Sequence, residues 1–484
     1  MQARRQIGAL RHQADTDSRL EYVSNKTFRF QYGRDIRNTQ RRHQENCMKA
    51  SLKLTLIAAA SFCSPAAFAQ TEIQMWHSMT GALGDKVGEL ATKFNATQKD
   101  YKVVPVFKGS YPESMTAAIA AYRAGNAPHI LQVFEVGTAT MMAAKGAVKP
   151  VYQLMKDADE PFDPKGFLPA VAGYYTDSKG NMLSFPFNSS SVAFYINKDA
   201  FKKAGLDAEK APRTWKEFVA TADRLKASGH ACPYTTSWPS WLHIENFSAW
   251  HNVPIGTREN GIAGADTEFQ INSPLHVKHI TMLGDMAKKG TFTYAGRTTQ
   301  GDSKFFSGEC AMFTGSTSAI ANIKRNAKFD WSIQLIPYHD DVKGAPQNTI
   351  IGGASLWVMG GKTNNSYKGV AKYFAYLSQP EVQMNWHTGT GYVPITLAAS
   401  EMTKKSGFYD KNPGMDLATR SLTNKPATGN SKGLRFGNFV QGREVFEEEL
   451  EGVFSGKKDA KTALDSAVKR GNEILRKFQA ANKQ

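Results

Sequence analysis

Along residues 70–145 the chain switches between two hydrophobic periods. Glu72–Trp76 alternates polar and apolar positions like a strand, and Leu83, Val87, Leu90 and Phe94 then recur at the spacing of one helix face. Tyr101–Phe107 (YKVVPVF) is β-rich. Pro112 opens a helix whose expected apolar stripe is Met115, Ile119 and Tyr122 and which Gly125 ends. Ile130–Phe134 reads as a third strand and Thr138–Lys145 as another helix. A β-α-β-α-β order implies parallel strands with helices over both faces. Ligands of such sheets lie beyond the carboxyl ends of the strands. Those ends here deliver Trp76-His77-Ser78, Gly109-Ser110-Tyr111 and Glu135-Val136-Gly137.

From about residue 180 the pattern restarts. Phe185–Asn188 and Val192–Ile196 are strand-like around an uncharged polar knot, Asn188-Ser189-Ser190-Ser191, and Lys198–Ala204 is helical. Thr214 and Glu217 form a capping box ahead of a helix that buries Phe218, Ala222 and Leu225. The aromatic stretch from Trp238 and Trp241 to Trp250 is expected as loop and helix at a domain edge. Ile350–Val358 is a strand with Gly352-Gly353 near its head, followed by helices at Val370–Leu377 and Glu381–His387. Leu464, Val468, Leu475 and Phe478 share one face of a last helix. There is no internal repeat and no low-complexity linker. At 484 residues the chain exceeds what one core usually supports, so two lobes joined by crossing strands are expected.

Composition changes this picture only at the N-terminus. The formal charge of +17 is carried in good part by the Arg-rich residues 1–47 and by Lys49 and Lys53; no dense basic run of the kind that marks nucleic-acid binding follows. Lys49, Lys53, the apolar Leu54–Ala60 and Ala67-Phe68-Ala69 have the layout of a secretory signal peptide. The expectation is an upstream extension over 1–47, a signal over 48–69 starting at Met48, and an exported periplasmic chain from Gln70. Past the signal only Cys232 and Cys310 remain, a disulfide or two buried thiols.

Gly361-Lys362-Thr363 lacks the earlier glycine of a phosphate-binding loop, because position 356 is Leu; a strand-to-helix turn is the better reading. No metalloprotease, nucleophile-elbow or dinucleotide motif is present, and the histidines are scattered. The chain has binding-type residues without a recognisable nucleophile and base. No enzyme activity, metal or cofactor is expected.

The string Phe194–Leu206 (FYINKDAFKKAGL) resembles the signature of extracellular solute-binding proteins of ABC importers, the group that includes maltose-binding protein. Further runs resemble its glycerol-phosphate-binding branch: Ala127–Met142, Glu245–Trp250 (ENFSAW), Ala345–Met359, Gly391–Thr396, Gly407–Gly414 and Lys432–Asn438. The resemblance implies an α/β, two-lobed periplasmic binding protein of the maltose-binding-protein type with a hinge of crossing strands. It implies sn-glycerol-3-phosphate as ligand, a glycerophosphodiester such as glycerophosphocholine being allowed. The protein partners it implies are a membrane permease and its cytoplasmic ATPase. Carried over residue by residue, the ligand set is Tyr111, Glu135, Ser190, Ser316, the backbone of Gly353, Tyr392 and Arg443.

Chemistry divides that set. Hydroxyls, a backbone N–H and one guanidinium fork suit a phosphate, so Ser190, Ser316, Gly353, Tyr392 and Arg443 form the phosphate end. Glu135 would repel phosphate and is expected at the opposite end, taking glycerol hydroxyls with Tyr111. Trp215 and Trp238 are either apolar walls of the cleft or ordinary lobe packing. The lobes are expected at 70–186 with 354–390, and at 191–350 with 393–484. An oligosaccharide-binding protein of the same fold is the alternative, and a secreted glycerophosphodiesterase the rival from another class.

Overall fold

The computed structural model describes residues 70–482; the expected signal over 48–69 and the segment 1–47 lie outside the described residues. The first half builds the strands expected of it, β1 (Thr71–His77), β2 (Tyr101–Phe107), β3 (Ile130–Phe134) and β5 (Phe185–Ser190), and adds the short β4 (Val148–Lys149). β6 (Val192–Asn197), β7 (Cys232–Thr236), β8 (Phe292–Tyr294), β9 (Cys310–Ser316) and β10 (Trp331–Gln334) follow, and β11 (Gly352–Met359) comes last. They form two sheets. The first runs β2-β1-β3-β11-β4 with β5 also on β11, and the second β10-β6-β9-β7-β8. β1 pairs β2 and β3 in parallel, as the β-α-β order requires, while β11 enters antiparallel to β3.

The chain passes from the first sheet to the second at Ser191, between β5 and β6, and returns with β11. Gly352 stands opposite Ser190 and Gly353 opposite Ser189, so the two passages lie side by side. Beyond Tyr392, Leu168 N–H bonds to Ile395 O at 2.9 Å and Phe167 bridges Thr396, so the chain runs back along the first lobe there.

Local rules decide several elements. A capping box, Ser110 with Glu113, starts the helix Tyr111–Arg123 and sets Tyr111 at its first position. That helix buries Tyr111, Ser114, Met115 and Ala118. Its expected stripe is displaced: Ile119 is 45% and Tyr122 40% exposed, because Tyr111, turned inward to the site, rotates the buried face away from them. The Thr214–Glu217 box is formed as expected, and Thr363 caps the helix Asn364–Leu377, the plain turn expected there.

The structure decides three further points. The stretch Trp241–Trp250 is a π-turn continued by a short α-helix, every residue of it buried. Trp215 is no cleft wall: it packs inside the second lobe against Phe218 and His279, ring centroids 5.1 and 4.8 Å away. The two cysteines are joined; Cys232 and Cys310 stand opposite one another on β7 and β9. No described helix is long and apolar enough to cross a membrane.

Candidate functional site

A cavity of about 590 Å³ lies where the two sheets face each other, floored by the strand passages. Tyr111, Glu135, Ser190, Ser316, Gly353, Tyr392 and Arg443 all line it, as does Trp238. Residues up to 332 positions apart in sequence (Tyr111 to Arg443) thus share one space.

The polar knot is what organises the floor. Asn188 accepts at Oδ1 from Gln132 Nε2 (2.8 Å) and donates from Nδ2 to the Tyr111 hydroxyl (3.0 Å). Gln132 in turn accepts from the Ser78 backbone N–H at 2.8 Å. Tyr111 also stacks on Phe134 with centroids 5.1 Å apart, so the phenol is held in both position and tilt. Ser190 faces the cavity, whereas Ser191 bonds Thr349 (2.7 Å) and Ser421 (2.8 Å) and ties the passages together. One short run therefore orients a ring, presents a hydroxyl and fastens the hinge.

Gly353 can only be glycine. Its φ is +89°, and a Cβ there would stand 1.8 Å from the Asn188 carbonyl oxygen. Gly352 is similarly closed by the Trp241 indole, which a Cβ would meet at 2.4 Å. Tyr392 stacks on Trp386 at 5.7 Å, nearly parallel. Ser316 Oγ bonds Ser318 Oγ at 2.8 Å, adding a second hydroxyl to the same corner.

The charged end differs from expectation. Arg443 is buried, and its Nε and Nη2 donate to the two oxygens of Glu245 at 2.8 and 2.6 Å. Nη2 also donates to Glu135 Oε1 at 2.6 Å. Glu135 and Arg443 are thus neighbours, not opposite ends of the site, because a buried guanidinium requires counter-charge, and Glu245 and Glu135 are the carboxylates bonded to it. The guanidinium fork is committed to Glu245, and no described residue bonds Nη1. Burial raises the Glu135 carboxyl, opposed by the adjacent Arg443. Burial alone would lower Arg443, but the two acids together hold it above its usual range.

Trp241, Ser318, Asp302 and Glu245 escaped the sequence reading. Trp241 stands three residues after Trp238 in the same aromatic stretch, a local density of indoles that could have pointed to it. Trp238 itself sits at φ +53°, a left-handed backbone rare for a bulky residue. Among the described residues no three His, Cys, Asp or Glu side chains are grouped to hold a metal.

Two α/β lobes around a hydroxyl- and aromatic-lined cavity, joined by strands that cross between them, define a two-lobed solute-binding protein. The chain belongs to the bacterial extracellular solute-binding proteins, whose family model matches residues 89–416. It is a periplasmic binding protein and not an enzyme. It is 55% identical over 433 residues to the sn-glycerol-3-phosphate-binding periplasmic protein UgpB of Yersinia pseudotuberculosis, covering 89% of this chain and 97% of that one. The protein of the same name from Salmonella typhimurium is 54% identical over 418 residues, covering 86% and 95%. Among solved structures, UgpB of Mycobacterium tuberculosis in complex with glycerophosphocholine superposes with a TM-score of 0.70 at 19% identity, covering 84% of this chain and 99% of that one. The cyclic α-maltosyl-1,6-maltose-binding protein of Arthrobacter globiformis gives 0.65 at 18%, covering 84% and 100%. At such identities the two structures speak for the fold alone.

Proposed function

We propose that the cavity binds sn-glycerol-3-phosphate and that the protein hands it to a membrane permease driven by a cytoplasmic ATPase. The observation that carries this is the convergence of Tyr111, Glu135, Ser190, Ser316, Gly353, Tyr392 and Arg443 on one cavity, in a chain 55% identical to proteins named for that ligand. In this reading the phosphate lies over the hinge floor, on the hydroxyls of Ser190, Ser316 and Tyr392 and the Gly353 N–H. Such donors bind an oxyanion without a fixed counter-charge. The glycerol hydroxyls point to Glu135, whose Oε2 is free of Arg443, and to Tyr111, while Trp238 and Trp241 cover the carbon chain. Arg443 contributes Nη1 and holds Glu135 in place.

The cavity volume falls in the range that encloses drug-sized ligands, so a diester such as glycerophosphocholine is a second ligand to test. Calorimetry with the two esters, glycerol, inorganic phosphate and maltose decides the matter. Glycerol-3-phosphate is expected to bind, with glycerol and phosphate far weaker because each fills half the site. Arg443→Ala should lose at least about 2–5 kcal/mol of binding free energy. Unchanged affinity in that variant, or binding of maltose but not of the esters, would overturn the reading.

A further inference from the structure

Besides Glu135 and Arg443, the one described acid or base of the carboxyl, amine or guanidinium kind that lines the cavity is Asp302. It lies in the helix Gln300–Phe306 and is 9% exposed. Ser237 Oγ donates to its Oδ1 at 2.5 Å, and no described residue bonds Oδ2. Ser237 N–H bonds to Thr314 O at 3.0 Å, which pins the pair to β9 two residues before Ser316. Asp302 therefore stands on the side of the cavity where the proposed phosphate lies.

Among the described residues no cation reaches it. β7 and β9, on which its helix packs, carry no charged side chains. Lys304 of its own helix pairs with Glu309 at 2.6 Å, and Arg297, just before that helix, pairs with Glu451 at 2.6 Å. On the packed helix Ala319–Asn326, Arg325 pairs with Asp85 at 2.7 Å, and Lys324 makes no bond to Asp302. The facing phenols, Tyr195 of β6 and Tyr392, are themselves pushed up by burial and stay neutral. Burial, opposed only by hydrogen bonds from Ser237 and the backbone, raises the Asp302 carboxyl to about 7.

We propose that Asp302 meets the ligand as a neutral carboxylic acid, donating its Oδ2–H to an anionic oxygen, and so couples binding to the uptake of one proton. The charge balance of the site argues the same way. Arg443 is already outnumbered by Glu135 and Glu245, so an ionised Asp302 would face an anionic ligand with nothing to offset the repulsion. A carboxyl oxygen and a phosphate oxygen at bonding distance require a shared proton. The inference rests on the anionic ligand proposed above.

The test compares wild type with Asp302→Asn, whose amide can still accept from Ser237 and donate to the ligand. Between pH 7 and 9 glycerol-3-phosphate stays a dianion, its second pKa being about 6, so its own ionisation does not interfere. Wild-type affinity for sn-glycerol-3-phosphate should fall toward about tenfold per pH unit, the slope of one linked proton, and Asp302→Asn should lose that slope. Calorimetry at pH 8 in two buffers of different ionisation enthalpy should report one proton taken up by wild type only. Buried Glu447, pushed up to about 8, titrates in both proteins and cancels in the comparison. Equal slopes in the two proteins would overturn the proposal. A second readout needs no ligand: as pH rises from about 4 to about 7, between the unfolded and folded values of this carboxyl, the melting temperature of wild type should fall relative to Asp302→Asn and then level off, and parallel curves over that range would overturn the neutral state. If wild type binds no glycerol phosphate at any pH, the ligand reading falls, and the protonation of Asp302 is decided by the ligand-free curves.

Discussion

Arg443 shows how one residue can be read correctly as part of a site and wrongly in its bonds. Its place in the cavity follows from the motif it resembles. Its partners follow from the fold, since Glu245 stands 198 residues earlier. Glu245 takes two bonds from Arg443 and does not line the cavity, whereas Glu135 takes one and does. Removing Glu245 leaves a buried guanidinium short of charge, so Glu245→Ala should cost about 3–5 kcal/mol of stability. Glu135→Ala should cost clearly less, because the bidentate pair survives. Urea unfolding of the ligand-free proteins measures both, and equal losses would show that the two carboxylates share the charge evenly.

At the scale of elements, the Thr214–Glu217 capping box was legible because it is local; the Ser110–Glu113 box, which delivers Tyr111 to the cavity, emerged only with the structure. The buried histidines were not legible. His243, His251, His276, His279 and His339 meet around Phe247 and Trp215, brought there by separate segments of the chain. Burial pushes His243 and His251 down to about 3, and His276 and His339 down to about 4. Their folded values lie below the unfolded value near 6.5. Their contribution is therefore complete above that pH and is lost as pH falls toward 4 and 3. Each contributes a slope approaching about 1.36 kcal/mol per pH unit. Asp302 and Glu447 have the opposite sign: raised to about 7 and 8, they favour the fold at low pH and lose that contribution as pH climbs from the ordinary carboxylate range up to those values. Melting temperatures recorded from pH 9 to pH 4 should therefore pass through a maximum near neutrality and drop steeply below about pH 6. A flat acid limb would show that the cluster accommodates protons.

For the whole molecule, the bonds that span the cavity matter most. Arg443 bonds Glu135, the Ala82 N–H donates to Asn322 Oδ1 at 3.2 Å, and Arg325 pairs with Asp85 at the exposed rim. The rim pair is solvent-screened and contributes little; a ligand touching both lobes stabilises the closed form far more. Ligand that binds only the folded protein adds about 2.7 kcal/mol at 100 times Kd. Glycerol-3-phosphate should accordingly raise the melting temperature, and hinge closure should lower the radius of gyration in solution scattering. An unchanged radius alongside a raised melting temperature would mean that the lobes are already as close without ligand as with it.

The sequence by itself determined the alternating strands and helices of the first lobe, the Thr214–Glu217 cap, the glycine pair and part of the cavity lining: Tyr111, Glu135, Ser190, Ser316, Gly353, Tyr392, Arg443 and Trp238. Each of these depends on near neighbours or on a string specific enough to carry its partners with it. Only the tertiary structure decided that Glu135 and Arg443 touch, that Trp215 belongs to the core, that Ile119 and Tyr122 face outward, and that Cys232 joins Cys310. The physical reason is common to all four. Charge pairing, burial and cross-linking depend on distance in space, and the strands that pass between the lobes bring together residues that no periodicity along the chain connects.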